Sequence, residues 1–169
     1  MYQRILVALG DEETVNEALV AEAAAIARGS HGVLNLLHVL FPPGAGFPDA
    51  MYMTADGMHS TVSTEAFQLY LTEWQTWQEN SQKTLDQQAN QLIADGLVAE
   101  WTQAIGAPAK QICKVAETWE ADLILMGRHN RTGVAEFFVG SVSNHVVHHA
   151  KCSVIVVQIT DALVTPGAA

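Results

Sequence analysis

Arg4 to Leu9 reads RILVAL, one charge followed by an unbroken apolar run. Val33 to Leu40, VLNLLHVL, repeats the pattern with one asparagine and one histidine. A strand with a wet face alternates, whereas a run that is apolar throughout asks for cover on both faces. Both segments therefore read as buried strands of a parallel sheet. Between them Val15, Leu19, Ala23, Ile26 and Ala27 recur at helical spacing. Gly10-Asp11 is the turn that opens this helix, and Glu12 and Glu13 suit its first turn. Thr14 or Asp11 is the expected cap, and Gly29 or Gly32 the expected stop. Strand, helix and strand make a βαβ unit with a right-handed crossover.

Phe41 to Ser63 differs in character, with Pro42, Pro43, Pro48, Gly44, Gly46 and Gly57. A loop of this length is usually a lid, a partner surface or a mobile segment. Met51, Met53 and Met58 are expected to pin it down. From Thr64 to Asp95 the spacing predicts a long helix. Phe67, Tyr70 or Leu71, Trp74, Trp77, Ser81, Leu85, Ala89, Leu92 and Ile93 fall on one inward face. The aromatic stripe is expected in the core. Gly96 ends the helix, and Leu97 to Ala104 is a third strand, alternating and so more exposed on one face. Gly106-Ala107-Pro108 turns the chain into a helix over 109–119, with Ile112, Val115, Ala116 and Trp119 inward. Leu123 to Met126 is a fourth strand, expected to break at Gly127. A last helix opens at Gly140-Ser141, and Val154 to Val157 is the final strand. Residues after about 160 read as a loose tail. The fold class is α/β: one domain over 1–169, an open five-stranded, mostly parallel sheet with helices on both faces.

The 169 residues carry a net charge of −10 and only eight lysines and arginines. Nucleic acid is thereby excluded as a partner, because phosphate backbones need basic stripes. No apolar run approaches the roughly 20 residues of a membrane span. The N-terminus lacks a secretory pattern, and Cys113 and Cys152 lack CxxC spacing. A cytoplasmic setting with two thiols buried as small apolar residues is the expectation.

Two of the few cations, Arg128 and Arg131, fall in the loop after the fourth strand, together with Asn130 and Gly133. That loop leads into the helix that opens at Gly140-Ser141. Unpaired N–H groups and the helix dipole favour negative charge at a helix start. Strand, loop and helix start thus make an anion site. In an open α/β sheet ligands bind beyond the carboxyl ends of the strands, where strand order reverses. Two turns there are rich in polar groups: Gly10-Asp11 and the Gly127 loop. Neither GxxxxGK[ST] nor GxGxxG is present.

Gly127-x2-Asn130-x9-Gly140-Ser141 resembles the G-x2-G-x9-G-(S/T) pattern of the universal stress protein family. The resemblance extends over nearly the whole chain. It includes RILVAL, LLHV at 36–39, the G-x-P turn at 106–108, ADLILMG at 121–127 and GSVSNHVVHHAKCSVIVV at 140–157. It implies the five-stranded fold, a homodimer through the last strand (Val154 to Val157), and, in one branch, bound ATP. Carried over by position, Val39 would reach adenine through its backbone. Met126 and Gly127 would line the nucleotide. Gly140, Ser141, Val142 and Ser143 would hold phosphates. The chain departs from the pattern twice. Asn130 stands at the second glycine, a residue type that tolerates positive φ. Gly10 stands where the family has aspartate beside the ribose, with Asp11 one place later.

The resemblance therefore implies a nucleotide-binding stress or regulatory protein taking ATP or another adenine nucleotide. Magnesium would accompany the nucleotide through Asp11 or Ser141, although no carboxylates are spaced as a dedicated cage. The alternatives are a slow ATP hydrolase or nucleotidyl-transfer enzyme in the same pocket, and a nucleotide-free interaction protein. No general base is evident for the enzymatic alternative. His145 and His149 stand four apart, as a metal pair would, but no third ligand is evident. His38 and His129 each stand alone.

Overall fold

A computed structural model describes residues 2–41, 64–129 and 140–159. The elements run β1 (Arg4–Leu9), α1 (Glu13–Ser30), β2 (Val33–Leu40), α2 (Thr64–Ala94) and β3 (Val98–Ile105). They continue with α3 (Pro108–Thr118), β4 (Leu123–His129), α4 (Ser141–His149) and β5 (Ser153–Ile159). The five strands form one sheet in the order β3-β2-β1-β4-β5. Every neighbouring pair is parallel. The loop after Phe41 and the tail beyond Ile159 lie outside the described residues.

The apolar runs lie where both-face burial puts them. Ile5, Leu6, Leu34, Leu36, Leu37, Leu123, Ile124 and Leu125 are fully buried. Alternate residues serve opposite faces. Ile5, Val7, Leu9, Leu34, Leu36, Leu123 and Leu125 pack beneath Leu19, Ala23 and Ala27 of α1 and Leu85, Ala89 and Leu92 of α2. Leu6, Ala8, Leu37, Ile124 and Met126 pack against Ile112 and Ala116 of α3 and Val146 of α4. The result is a doubly wound sheet. Truncating any of the central leucines to alanine would cost about 2–5 kcal/mol.

At the amino ends of the strands, Asp122 ties three of them together. Its carboxylate accepts from the N–H groups of Gln3 at 2.7 Å and Arg4 at 3.2 Å. Its own N–H donates to the Arg4 carbonyl, and its carbonyl accepts from Ser153. Arg4 in turn donates through Nε to the Trp119 carbonyl at 2.7 Å, with its guanidinium over the Trp119 ring.

Several expectations are corrected. Glu12, not Thr14 or Asp11, is the residue before α1, and it makes no side-chain capping bond. The helix closes on His31, which takes the left-handed conformation at φ 57, with its N–H bonded to the Ala27 carbonyl. Gly32 is needed for proximity instead: a Cβ there would come within 3.0 Å of the Tyr2 carbonyl and of Ser30 Oγ. The aromatic stripe of α2 is not core. Trp77 is 39% exposed, Leu71 43% and Ile93 51%, and Trp74 meets Trp77 edge to face at 5.6 Å. Gly127 does not break β4. It pairs with Val157, and the strand continues to His129. Cys113 and Cys152 are free and half-buried against the α3/α4 core. Burial raises both thiols above the ordinary value, and for Cys152 Asp122 and Cys113 add to it.

Candidate functional site at the strand-order reversal

The chain leaves β1 toward β2 on one side of the sheet and leaves β4 toward β5 on the other. Strand order therefore reverses between β1 and β4. Ala8 and Met126 are the last register pair the two strands share. Beyond them Leu9 continues in register with β2 and Gly127 to His129 with β5, at the point where open α/β sheets hold ligands. The crossover from β4 must return to the amino end of β5, so α4 begins at this same edge.

Gly140 precedes α4 with φ −52 and ψ 154, and glycine has no side chain to cap the helix. The first bond of the helix is Asn144 N–H to the Gly140 carbonyl at 2.9 Å. The preceding N–H groups have no partner within the helix, as at any helix start. Ser143 is buried, and its hydroxyl donates to the Gly140 carbonyl at 3.0 Å. Ser141 is exposed. Among the described residues neither φ nor packing demands a glycine at 140: an added Cβ would meet only Ser143 Oγ, at an ordinary 3.6 Å.

On the β1 side, Asn16 clasps Gly10 by accepting from its N–H at 2.9 Å and donating to its carbonyl at 2.8 Å. Sequence reasoning missed this clasp, since nothing in the spacing of an asparagine in the first turn of a helix, six positions after Gly10, announces it. Asp11 is largely exposed, and its Oδ1 lies 3.5 Å from His38 Nε2. His38 is thus not alone: its Nδ1 also lies 2.7 Å from Ser81 Oγ on α2. Its neighbour Val39 points to the opposite face, as alternation along a strand requires. Val39 packs there in the cluster that includes Met126 and Val142.

The fold thus brings Val39, Met126 and Val142 into one apolar layer and places Gly127 and Gly140 to Ser143 at the same edge of the sheet. Arg128 pairs through its backbone with Gln158. Its side chain, Asn130 and Arg131 lie outside the described residues. The rings of His145 and His149 stack at 4.0 Å, and His149 Nδ1 lies 2.8 Å from the His145 carbonyl. Among the described residues no three histidine, cysteine or acidic side chains gather as a metal site would need.

The family model for the universal stress protein family matches residues 1–158. The chain is 34% identical to universal stress protein Sll1388 of Synechocystis sp. over 157 residues, which is 93% of this chain and 98% of the relative. Its fold is similar to that solved for MJ0577 of Methanocaldococcus jannaschii, with a TM-score of 0.72 and 21% identity, over 95% of this chain and 99% of the other. It is also similar to the universal stress protein of Archaeoglobus fulgidus solved in complex with dAMP. The TM-score there is 0.58 and the identity 20%, over 92% of this chain and 97% of that one. No described helix is long and apolar enough to cross a membrane. Family match, relative and fold agree over nearly the full length, and the chain belongs to the universal stress protein family.

Proposed function

We propose that this chain binds an adenine nucleotide, ATP or a near relative, at the β1/β4 strand-order reversal and acts as a homodimeric stress-response regulator. The observation that carries the proposal is the start of α4. Gly140 is a glycine that neither its φ nor any atom of the described residues requires. Its use is then the space it leaves outside the chain, where a phosphate can approach the backbone N–H groups of Ser141, Val142 and Ser143. The exposed Ser141 hydroxyl adds a free donor, whereas the Ser143 hydroxyl is engaged by Gly140. Val39 and Met126 supply the apolar bed for a base. That a similar fold carries dAMP supports the adenine class.

The ribose end is where this chain differs. Gly10 offers no side chain, and its backbone is held by Asn16. Asp11 leans instead toward His38. The phosphate end therefore supplies most of the affinity, so ATP binds more tightly than AMP. β5 lies at an edge of the sheet among the described strands, and pairing of two copies there would complete the homodimer.

Titration calorimetry with ATP and AMP, followed by a phosphate-release assay, tests the proposal. Saturable heat with ATP, weaker heat with AMP and no phosphate release above the Ser141→Ala variant are expected. Absence of heat with either nucleotide overturns the proposal, and rapid release would make the chain an enzyme.

A further inference from the structure

On the face of the sheet opposite Val39, a cleft of about 410 Å³ opens between the start of α1, the end of β2 and the middle of α2, and Asp11, His38 and Ser81 all line it. Its size falls in the roughly 300–1,000 Å³ of small-molecule sites. Three elements thus bring a carboxylate, an imidazole and a hydroxyl to one cleft. We propose that Ser81 is a nucleophile activated by His38, and that the cleft hydrolyses small acyl esters with good leaving groups, the thioester and aryl ester class. The proposal does not rest on nucleotide binding, since Val39 and Val142 at the start of α4 serve the other face of the sheet.

The Ser81 hydroxyl is set apart from its neighbours on α2. Thr72, Thr76 and Thr84 each donate to the carbonyl four residues earlier, at 3.0, 2.9 and 3.1 Å. That back-bond is a common resting place for a hydroxyl inside a helix. Ser81 faces His38 Nδ1 instead, at 2.7 Å. On the far side of the ring, Nε2 lies 3.5 Å from Asp11 Oδ1. A carboxylate only accepts, so Nε2 carries the proton and Nδ1 accepts from Ser81. This is the tautomer a general base needs. Nucleophile, base and a carboxylate that orients the base are the parts of an activated serine, whichever ring nitrogen meets the hydroxyl. The His38 side chain is mostly buried, whereas Asp11 stands in solvent. Asp11 is accordingly the lesser member of the three.

In the first step Ser81 Oγ attacks the ester carbonyl carbon while its proton passes to His38 Nδ1, and Nε2–H stays toward Asp11. The bond from carbon to the leaving group then breaks, and the leaving group takes the Nδ1 proton. Water attacks the acyl-serine and gives one proton to Nδ1. That proton returns to Oγ as the acyl–oxygen bond breaks and the acid departs. One ester and one water become one acid and one thiol or phenol. Ser81 lies inside α2, where backbone N–H groups are spent in helical bonds, so side chains must meet the oxyanion. The Trp77 indole N–H, about one turn before Ser81, and the Asn80 amide belong to residues that line the cleft, and neither makes a hydrogen bond among the described residues. Movable side-chain donors lack the preorganisation of a backbone oxyanion hole. This limits the reaction to esters whose leaving groups depart readily.

The test is hydrolysis of p-nitrophenyl acetate by the full chain, read as p-nitrophenolate release, with a fluorophosphonate as a serine-directed label. Saturable release is expected, and peptide mass mapping of the unmodified chain should find the phosphonate on Ser81, a readout that needs no variant. Ser81→Ala and His38→Gln, each verified as folded by a thermal melt, should lose about 100-fold or more of kcat/KM. His38→Gln should also no longer take the label at Ser81. Asp11→Asn should lower kcat by about ten-fold and leave KM unchanged, the signature of a group that positions the base and does not hold the substrate. Absence of saturable release overturns the proposal. So does release that survives in folded Ser81→Ala or His38→Gln, or a label found only at other residues. An unchanged kcat in Asp11→Asn overturns the part given to Asp11.

Discussion

His38 of β2 and Ser81 of α2, forty-three positions apart in the chain, meet with Nδ1 and Oγ 2.7 Å from one another. The contact is partly buried and pins the middle of α2 over the carboxyl end of the sheet. Above it the helix rises past the strands; below it Leu85, Ala89 and Leu92 enter the core. Ser81→Ala should therefore lower stability by about 1 kcal/mol, the net worth of one such bond. Urea unfolding measures this, and an unchanged midpoint would mean the contact does not form in solution. ATP affinity should be unaffected, since the contact lies on the opposite face from Val39.

Asp122 carries a heavier role at the other end of the sheet. Its carboxylate accepts the N–H groups of Gln3 and Arg4, so one side chain fixes the start of β1 against β4. Asp122→Ala is expected to cost about 1.5–3 kcal/mol. Asp122→Asn should recover only part of that loss, because its amide can accept through one oxygen alone. Equal stability of all three proteins in urea would contradict this assignment.

The two thiols give a pH dependence of defined sign. Burial raises Cys113 and Cys152 above the ordinary value of 9.0. Between the unfolded and folded values the folded chain keeps protons that the unfolded chain has released. Stability from these groups is fully present below the ordinary value and is lost as pH rises from there through the raised value of the folded chain. Unfolding curves from neutral pH into this alkaline range should show the decline, and Cys113→Ala with Cys152→Ala should flatten it. At pH 8 both thiols should react with a disulfide reagent more slowly than free cysteine, and faster once urea is added.

Much of the fold was legible in the residues, for identifiable reasons. β1 and β2 run as expected because burial on both faces writes an unbroken apolar run. The helix starts at Pro108 and Ser141 were legible because proline and glycine mark them locally. The misplaced features all depend on distant partners. Gly127 stays in β4 because β5 offers its backbone a ladder. The stripe on α2 has helical spacing throughout. Yet a helix of 31 residues is about 46 Å long against about 26 Å for an eight-residue strand. Only its second half has sheet beneath it, so Trp77 and Leu71 overhang. His38 read as solitary because Ser81 is brought to it by the crossover alone.

The candidate site divides in the same way. The Gly140-Ser141 helix start was plain from local pattern and anion physics. The Gly10 end was not, because Asn16 occupies its backbone and Asp11 turns toward the other face. A loop's sequence shows which polar groups it offers but not which are already bonded.

Nucleotide binding at the start of α4 is tested most directly by one comparison: ATP titrated calorimetrically into the parent chain and into Gly140→Val. The substitution is sterically tolerable against the described residues, where an added Cβ meets nothing closer than 3.6 Å. Its cost to the helix start should stay near about 1 kcal/mol, which a thermal melt verifies. The expected result is saturable ATP binding by the parent and its loss in a folded Gly140→Val. Equal ATP affinity in the two folded proteins, or no ATP binding by the parent, would contradict it.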